Sequence, residues 1–215
     1  MKTFTKLTLI LLALTISAFA STVTITFNTL PGATANGYYV GYSGATVNNG
    51  TTIFDNFDLI CDDFSHTTNI PSGPFTYTTE TLDNLSGARF TTNQLNNYKV
   101  AAVLLYQFDQ NLGTVDPGGY NFALWKLFTP SAGDFGDSAT LLANAQSIVN
   151  AGGGITTAAY KNMVIFTPTQ ANASQQEFLG ITTPGLTSGS PVPEPSTFGL
   201  LGLGLIGFGY IRKRK

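Results

Sequence analysis

Beyond residue 20, the first third of the chain alternates apolar and polar side chains with the two-residue period of half-buried strands. Residues 22–27 are the clearest case, with valine, isoleucine and phenylalanine separated by threonines. Residues 38–42 and 51–54 flank the turn-forming sequence 48–50, which predicts that they pair as a hairpin. Two further strands are predicted over residues 57–61 and 76–79.

The middle of the chain changes to spacings of three and four residues, the pattern of amphipathic helices. Three helices are predicted, over residues 93–110, from 117 or 118 to 128, and over 138–150. Thr92 or Asn93 is the predicted N-cap of the first helix and Ser138 that of the third, which three glycines end. Strand-like composition returns at 163–167 and 177–181. This order predicts an α+β domain that has a β-sandwich or barrel-like portion and an inserted helical portion.

The first 20 residues have the three-part pattern of a secretory signal peptide. Two lysines come first, an apolar run extends from Leu7 to Phe19, and residues 18–20 form a small-x-small cleavage site. A buried N-terminal helix is the alternative, but it requires polar side chains at helical spacing, which this run lacks. We therefore expect signal peptidase and the secretion machinery to export the chain, which would then begin near Ser21.

The other end, residues 192–215, combines three features in a fixed order. A proline-flanked core precedes a glycine-rich apolar segment at 198–211 and a basic tail. The residues of the core and the tail are Val192, Pro193, Glu194, Pro195, Arg212, Lys213, Arg214 and Lys215. The two prolines place Glu194 in extended, non-helical backbone. As a helix, the apolar segment would span roughly 21 Å of a hydrocarbon core of roughly 30 Å, which predicts a marginal transmembrane helix whose basic tail stays cytoplasmic.

This order resembles the PEP-CTERM sorting signal. The resemblance implies an inner-membrane intermediate that exosortase, a membrane-embedded transpeptidase-like enzyme, processes near Pro193–Pro195 to release or transfer the body. A plain C-terminal anchor is the alternative, and it calls for an apolar run of roughly 20 residues. The expected organisation is a signal peptide at 1–20, an exported domain at 21–181, a linker at 182–191 and the sorting signal at 192–215.

The exported body differs in charge from the two ends. The whole chain has a net charge of −2, whereas residues 21–190 contain four basic and eleven acidic side chains and so carry −7. An acidic body repels polyanions, which argues against nucleic acid as a partner. The single cysteine also excludes a framework of intramolecular disulfides.

That cysteine, Cys61, belongs to the main candidate site of the body. In the predicted strand it shares a face with Phe57 and Leu59, which is typical of a buried structural cysteine. Together with later residues it also loosely resembles the thioester domains of Gram-positive surface adhesins. The residues that carry this resemblance are Cys61, Asn121, Ala123, Leu124 and Trp125.

The resemblance implies a role for each of these residues. Cys61 matches the cysteine whose thiolate attacks a glutamine carboxamide, Asn121 occupies the glutamine position, and residues 123–125 match a small-aliphatic-tryptophan triplet. Asparagine is one methylene shorter, so its carbonyl carbon lies roughly 1.5 Å nearer its own backbone. A Cys61–Asn121 bond therefore requires a closer approach of the two backbones, and we expect a domain that keeps the fold without the bond.

Two other groups of residues offer weaker sites. Four carboxylates lie within nine positions, at Asp55, Asp58, Asp62 and Asp63. They could bind Ca²⁺ but lack the EF-hand order, so a solvated acidic face without metal or other cofactor is expected. The sole histidine, His66, would form a cysteine-hydrolase site with Cys61 and Asp63, although only their spacing supports it.

Together these features predict an exported, non-enzymatic protein of the cell surface or the extracellular matrix, with a structural or adhesive role as in a biofilm. Exopolysaccharide and other surface components are its candidate partners, from the family resemblance. A covalent thioester-type adhesin that uses Cys61 and Asn121 is the first alternative, and a secreted cysteine hydrolase is the second.

Overall fold

The computed structural model of the chain describes residues 21–90 and 94–181. The predicted signal peptide, linker and sorting signal, including the membrane segment 198–211, lie outside these residues. Within the described ranges, no helix has both the length and the apolar character needed to cross a bilayer.

The described part contains eight strands, four α-helices and two short 3-10 helices, Pro130–Ala132 and Gln170–Asn172. The strands are β1 (Ser21–Thr29), β2 (Ala33–Ala35), β3 (Tyr38–Val40), β4 (Ser43–Asn48), β5 (Ile53–Cys61), β6 (Ser72–Glu80), β7 (Met163–Pro168) and β8 (Phe178–Ile181). The α-helices are α1 (Leu95–Gln110), α2 (Pro117–Phe128), α3 (Ser138–Ala151) and α4 (Gly154–Asn162), all between β6 and β7. This is the predicted α+β class with an inserted helical portion.

Six of the strands close into an antiparallel barrel in the order β1, β4, β5, β8, β7, β6. The apolar side chains of the predicted alternating strands fill the interior of the barrel. They form one buried apolar cluster that includes Val23, Ile25 and Phe27 of β1 and Phe57 and Leu59 of β5. A barrel of this size has room only for side chains, so the interior is a packed core.

The helices cover the outer face of β5, β7 and β8. Ile60, Ile165 and Leu179 point away from the barrel interior and belong to the same cluster as the buried face of α1. Because β7 is buried on both faces, every residue of Met163–Pro168 is buried. This explains why β7 has continuous apolar composition while β1 alternates.

The predicted hairpin has the correct turn and the wrong first strand. Residues 48–50 lie at the turn, but the strand that pairs with β5 is β4, in register Asn48 with Ile53. Tyr38–Val40 instead forms β3, which pairs with β2 across Asn36 and Gly37 in a separate two-stranded sheet.

The helix boundaries also differ from the prediction. Gln94 occupies the N-cap of α1, and Thr92 and Asn93 lie outside the described residues. Ser138 is the first residue of α3 and not its N-cap, which is Asp137. Gly152 ends α3 as predicted, with φ of 69°, but α4 follows at once from Gly154 and was not predicted.

Candidate functional site

A cavity of about 210 Å³ lies where the end of β5, the β2–β3 hairpin and α2 meet. Both members of the predicted pair, Cys61 and Asn121, line it, although 60 positions separate them in the chain. The side chain that closes the predicted motif, Trp125, lines the same cavity. The fold therefore brings together three of the five residues that carry the resemblance to thioester domains.

The Asn121 carboxamide is buried and bonded at both ends to backbone. Its Oδ1 accepts a hydrogen bond of 2.5 Å from the Gly41 N–H, and its Nδ2 donates one of 3.0 Å to the Cys61 carbonyl oxygen. Gly41 has φ of 98°, and a Cβ there would lie 3.2 Å from Cβ of Pro117, so glycine suits this close approach to α2. Asn121 thus joins α2 to the segment after β3 and to the end of β5.

The Cys61 thiol is in its neutral form at ordinary pH. Burial raises the pKa of this thiol well above its usual range. Sγ donates a hydrogen bond of 3.2 Å to the Asp63 carbonyl oxygen. The thiol that would attack Asn121 is therefore protonated and bonded elsewhere, as expected of a structural cysteine.

Asp63 is fully buried at the centre of a polar network beside the cavity. Its carboxylate accepts hydrogen bonds from the Ser65 N–H at 3.0 Å and from His66 Nδ1 at 2.8 Å. The Arg89 guanidinium lies 3.2 Å from the same carboxylate, and it lies 2.7 Å from Nδ1 and 2.9 Å from Nε2 of His66.

This network does not join the thiol to the imidazole. Among the described residues, the ring nitrogens of His66 contact Asp63 and Arg89, whereas the Cys61 thiol interacts with the Asp63 backbone and the Trp125 side chain. A cysteine nucleophile requires a base within hydrogen-bond reach of its sulfur. The predicted Cys61, His66, Asp63 arrangement is thus brought close in space without the bond on which its chemistry depends.

The expected solvated acidic face is correct for Asp55 and Asp58 and wrong for Asp62 and Asp63, which are fully buried. Asp62 lies beside Glu177 and Asp63 beside Arg89, so side chains from far along the chain help to bury both carboxyl groups. In the described part of the chain, no group of three or more His, Cys, Asp or Glu residues is arranged to bind a metal ion.

Asp62 lies against a second buried carboxyl group, that of Glu177. Burial raises the pKa of Asp62 well above its usual range, with the Glu177 carboxylate as the next cause. Glu177 accepts hydrogen bonds from the Tyr98 hydroxyl at 2.6 Å and the Arg89 N–H at 2.8 Å. Asp62 therefore keeps its proton while Glu177, with several donors around it, is the better site for a charge.

The predicted triplet divides between two environments. Ala123 and Leu124 are fully buried in the cluster between the helices and the barrel. Trp125 packs instead with Phe122 and with Ala35 of the hairpin, in a separate cluster next to the cavity. Two of the three motif residues thus serve the core, and one reaches the candidate site.

The sequence reading did not identify the cavity residues Tyr38, Tyr39 and Gln176. Gln176 accepts from the Thr68 N–H at 3.2 Å and donates to the Asp63 carbonyl oxygen at 2.9 Å, which connects two walls of the site. The two tyrosines follow Asn36-Gly37, a dipeptide that favours two-residue hairpin turns. That signal could have placed both tyrosines on an exposed hairpin.

Comparison with known proteins confirms the sorting signal. Residues 191–215 match the family model of the PEP-CTERM protein-sorting motif. No curated protein sequence matches the chain. Among solved structures, the N-terminal thioester domain of a surface protein from Clostridium perfringens is similar over 75% of this chain and 98% of that chain, with 13% identity and a TM-score of 0.42. A likeness this distant assigns no chemistry to Cys61 or Asn121.

The matched motif indicates exosortase-dependent export of the chain toward the cell envelope or surface. It covers the segment that the sequence predicted from its proline-flanked core, its apolar stretch and its basic tail. The motif lies outside the body between residues 21 and 181, so the role of the body depends on its own geometry.

Proposed function

We propose that this protein is an exosortase substrate that passes through an inner-membrane intermediate and is then displayed at the cell surface or in the extracellular matrix. There the barrel domain has a non-enzymatic, structural or adhesive role. The sorting motif at 191–215 is the observation that carries this proposal. Signal peptidase and the secretion machinery act first, and exosortase acts on the exported intermediate.

Three physical features support the proposal: the short apolar segment, the charge of the body and the state of the Cys61 thiol. The apolar segment 198–211 is too short to span the roughly 30 Å hydrocarbon core comfortably, so it suits a temporary anchor. The net charge of −7 over residues 21–190 favours solubility of the released body and opposes binding to polyanions. The non-enzymatic role is supported by the protonated Cys61 thiol, which lacks a bonded base within the described residues.

Substitution of the core of the sorting signal tests the proposal in the native host. Glu194→Ala should leave the chain in the membrane fraction with its basic tail intact, because the enzyme loses the charge between the two prolines. Mass spectrometry of the C-terminus and surface labelling are the measurements, and Ser190→Ala in the linker is the matched control. Normal maturation and surface delivery of Glu194→Ala would refute the proposed route.

A covalent thioester-type adhesin is the second candidate, because Cys61 and Asn121 line one cavity. In that step Cys61 sulfur forms a bond to the Asn121 carbonyl carbon, the carbon–nitrogen bond breaks, and ammonia leaves with the thiol proton. The Gly41 N–H would polarise the carbonyl group. The raised thiol pKa and the hydrogen bond from Sγ to Asp63 oppose the step.

Intact mass of the protein decides between the two candidates. The noncovalent domain has the full calculated mass, whereas loss of ammonia lowers it by about 17 Da. Cys61→Ala is the control, since it removes the nucleophile and must restore the calculated mass. A deficit of this size in the wild type that disappears in Cys61→Ala would establish the covalent candidate.

A further inference from the structure

The β2–β3 hairpin forms a two-stranded sheet that is separate from the barrel. Its inner face is anchored, because Ala35 and Val40 are buried and the Tyr38 ring packs 5.8 Å from that of Trp125 on α2. Its outer face carries Tyr39, whose side chain is 55% exposed, an unusual exposure for a large ring. The hairpin is therefore held in place through one face, and the other face is open to a partner.

The register of the hairpin leaves one N–H and one C=O of β3 without a partner in the sheet. In a hairpin with a two-residue loop, the pair next to the loop exchanges both hydrogen bonds and the following pair exchanges none. Ala35 pairs with Tyr38 next to the loop, so the following pair is Thr34 with Tyr39. The Tyr39 N–H and C=O therefore point away from β2, and among the described residues neither has a hydrogen bond.

This edge of the hairpin lacks the features that normally prevent pairing with another chain. Free strand edges are usually protected by charged side chains, by proline or by a bulge. β3 has the sequence Tyr-Tyr-Val, its ladder with β2 is regular, and residues 21–54 contain no charged side chain. Aromatic and β-branched residues also favour the strand conformation. The edge of β3 is thus suited to accept a further strand.

Charge and symmetry favour a second copy of this chain as the source of that strand. Residues 21–190 carry a net charge of −7, so two copies repel each other over most of their surfaces. Residues 21–54 carry none of this charge, so close approach costs least at the hairpin. A residue that offers both an N–H and a C=O is also self-complementary, since Tyr39 of each copy can donate to and accept from Tyr39 of the other.

We propose that β3 pairs antiparallel with β3 of a second copy across Tyr39, which joins the two hairpins into one four-stranded sheet. The two Tyr39 rings then lie side by side on the outer face as a favourable cross-strand pair. The Gly41 N–H is already bonded to Asn121, so the paired stretch is short and the association is weak. The proposal rests on surface display, which concentrates the copies, and it deepens the proposed structural role by naming the chain as its own partner.

Single introduced cysteines measure the order of the strands in the pair. Cys61→Ala is the background, because it removes the native thiol. The full chain is purified in detergent with micelles in excess over chains. In the proposed sheet the two copies of residue 39 face each other with Cα atoms about 5.5 Å apart, so Tyr39→Cys should form dimers with a short bismaleimide. The two copies of residue 34 are three strand spacings apart, about 14 Å, so Thr34→Cys should form dimers only with a longer reagent.

Leu112→Cys in the same background is the matched control, since Leu112 is 48% exposed and lies outside the hairpin. Its yield of dimers measures random collision. At about 100 μM chain, where weak pairs are partly associated, the Tyr39→Cys yield should exceed that of the control by at least about fivefold.

Sedimentation of chains without introduced cysteines tests the same contact independently. The sedimentation coefficient of the wild type should rise with concentration. Tyr39→Lys should abolish this rise, because it places two like charges directly opposite each other. Leu112→Lys adds the same charge outside the hairpin and should behave as the wild type does.

Three results would overturn the proposal. The first is a Tyr39→Cys yield equal to that of Leu112→Cys, and the second is dimers of Thr34→Cys with the short reagent, which would place β2 at the contact. The third is sedimentation of the wild type that matches that of Tyr39→Lys at every concentration. All three are measured on purified protein and do not depend on maturation in the host. Failure of self-association is therefore distinguishable from failure of the proposed export, which Glu194→Ala tests.

Discussion

Replacement of Asn121 by alanine tests whether the carboxamide stabilises the fold around the cavity. The substitution removes two hydrogen bonds, from the Gly41 N–H and to the Cys61 carbonyl oxygen, at a residue that is 1% exposed. Each bond contributes about 0.5–1.5 kcal/mol, and a buried N–H without an acceptor costs about 1–3 kcal/mol. We therefore expect the free energy of unfolding to fall by about 2–4 kcal/mol.

The assay is denaturant and thermal unfolding of the purified chain. For a domain of this size, each 1 kcal/mol lowers the melting temperature by about 2–4 °C, so a decrease of roughly 5–15 °C is expected. Asn28→Ala is the matched control, because its amide makes one exposed hydrogen bond of 3.0 Å to Thr46 Oγ1. The control should change the melting temperature by little more than the error.

Asn121→Asp separates the two ends of the carboxamide. It keeps an acceptor for the Gly41 N–H and replaces the donor to Cys61 with a carboxylate oxygen facing a carbonyl oxygen. Its buried carboxyl pKa should be raised, so the variant should be least stable at neutral pH and recover as the pH falls and the group is protonated. If Asn121→Ala costs no more than Asn28→Ala, the structural role assigned to this amide is wrong.

Three further predictions concern a buried carboxyl group, the barrel and a surface ion pair. Burial and Glu177 raise the folded-state pKa of Asp62 above its usual 3.8. The free energy of unfolding should therefore fall as the pH rises from 3.8 to the folded-state pKa, by up to about 1.4 kcal/mol per pH unit. Urea titrations at several pH values should show this slope in the wild type and not in Asp62→Asn. Gly180→Ala should lower the free energy of unfolding by about 1–3 kcal/mol, because the added Cβ would lie 2.7 Å from a ring carbon of Phe57. Lys126→Ala should leave the urea midpoint nearly unchanged, since its 2.6 Å ion pair with Asp134 is on the surface and solvent screens it.

Most strands and helices follow from local patterns in the sequence. The alternation in β1 and the apolar spacing in α1 arise because each element buries one face, so the period of the pattern predicts both elements. The pairing of β4 with β5 was missed because only two small apolar side chains, Ala45 and Val47, mark the buried face of β4, and the third buried position is Ser43. The turn at Asn36 and Gly37 also has the residues for a hairpin of its own, and two competing turns leave the register ambiguous.

The site was predictable only where the resemblance singled out residues. Cys61 and Asn121 were paired in advance, and the fold brings them into one cavity. Asp62 and Asp63 were assigned to solvent because a run of carboxylates is normally exposed. Their burial depends on partners far along the chain, Arg89 and Glu177, and no local pattern in a single sequence reveals contacts over such separations.

Two polar residues of the cavity wall, Asn121 and Gln176, hold the cavity open in the free protein. Asn121 bonds α2 to the end of β5, and Gln176 bonds the Thr68 backbone to that of Asp63. Each wall is thereby attached to neighbouring backbone by a partly buried hydrogen bond. A preformed cavity has little ordering entropy to lose when a ligand binds. Loosening these bonds should therefore weaken the binding of any ligand of this cavity, even where no contact with that ligand is lost.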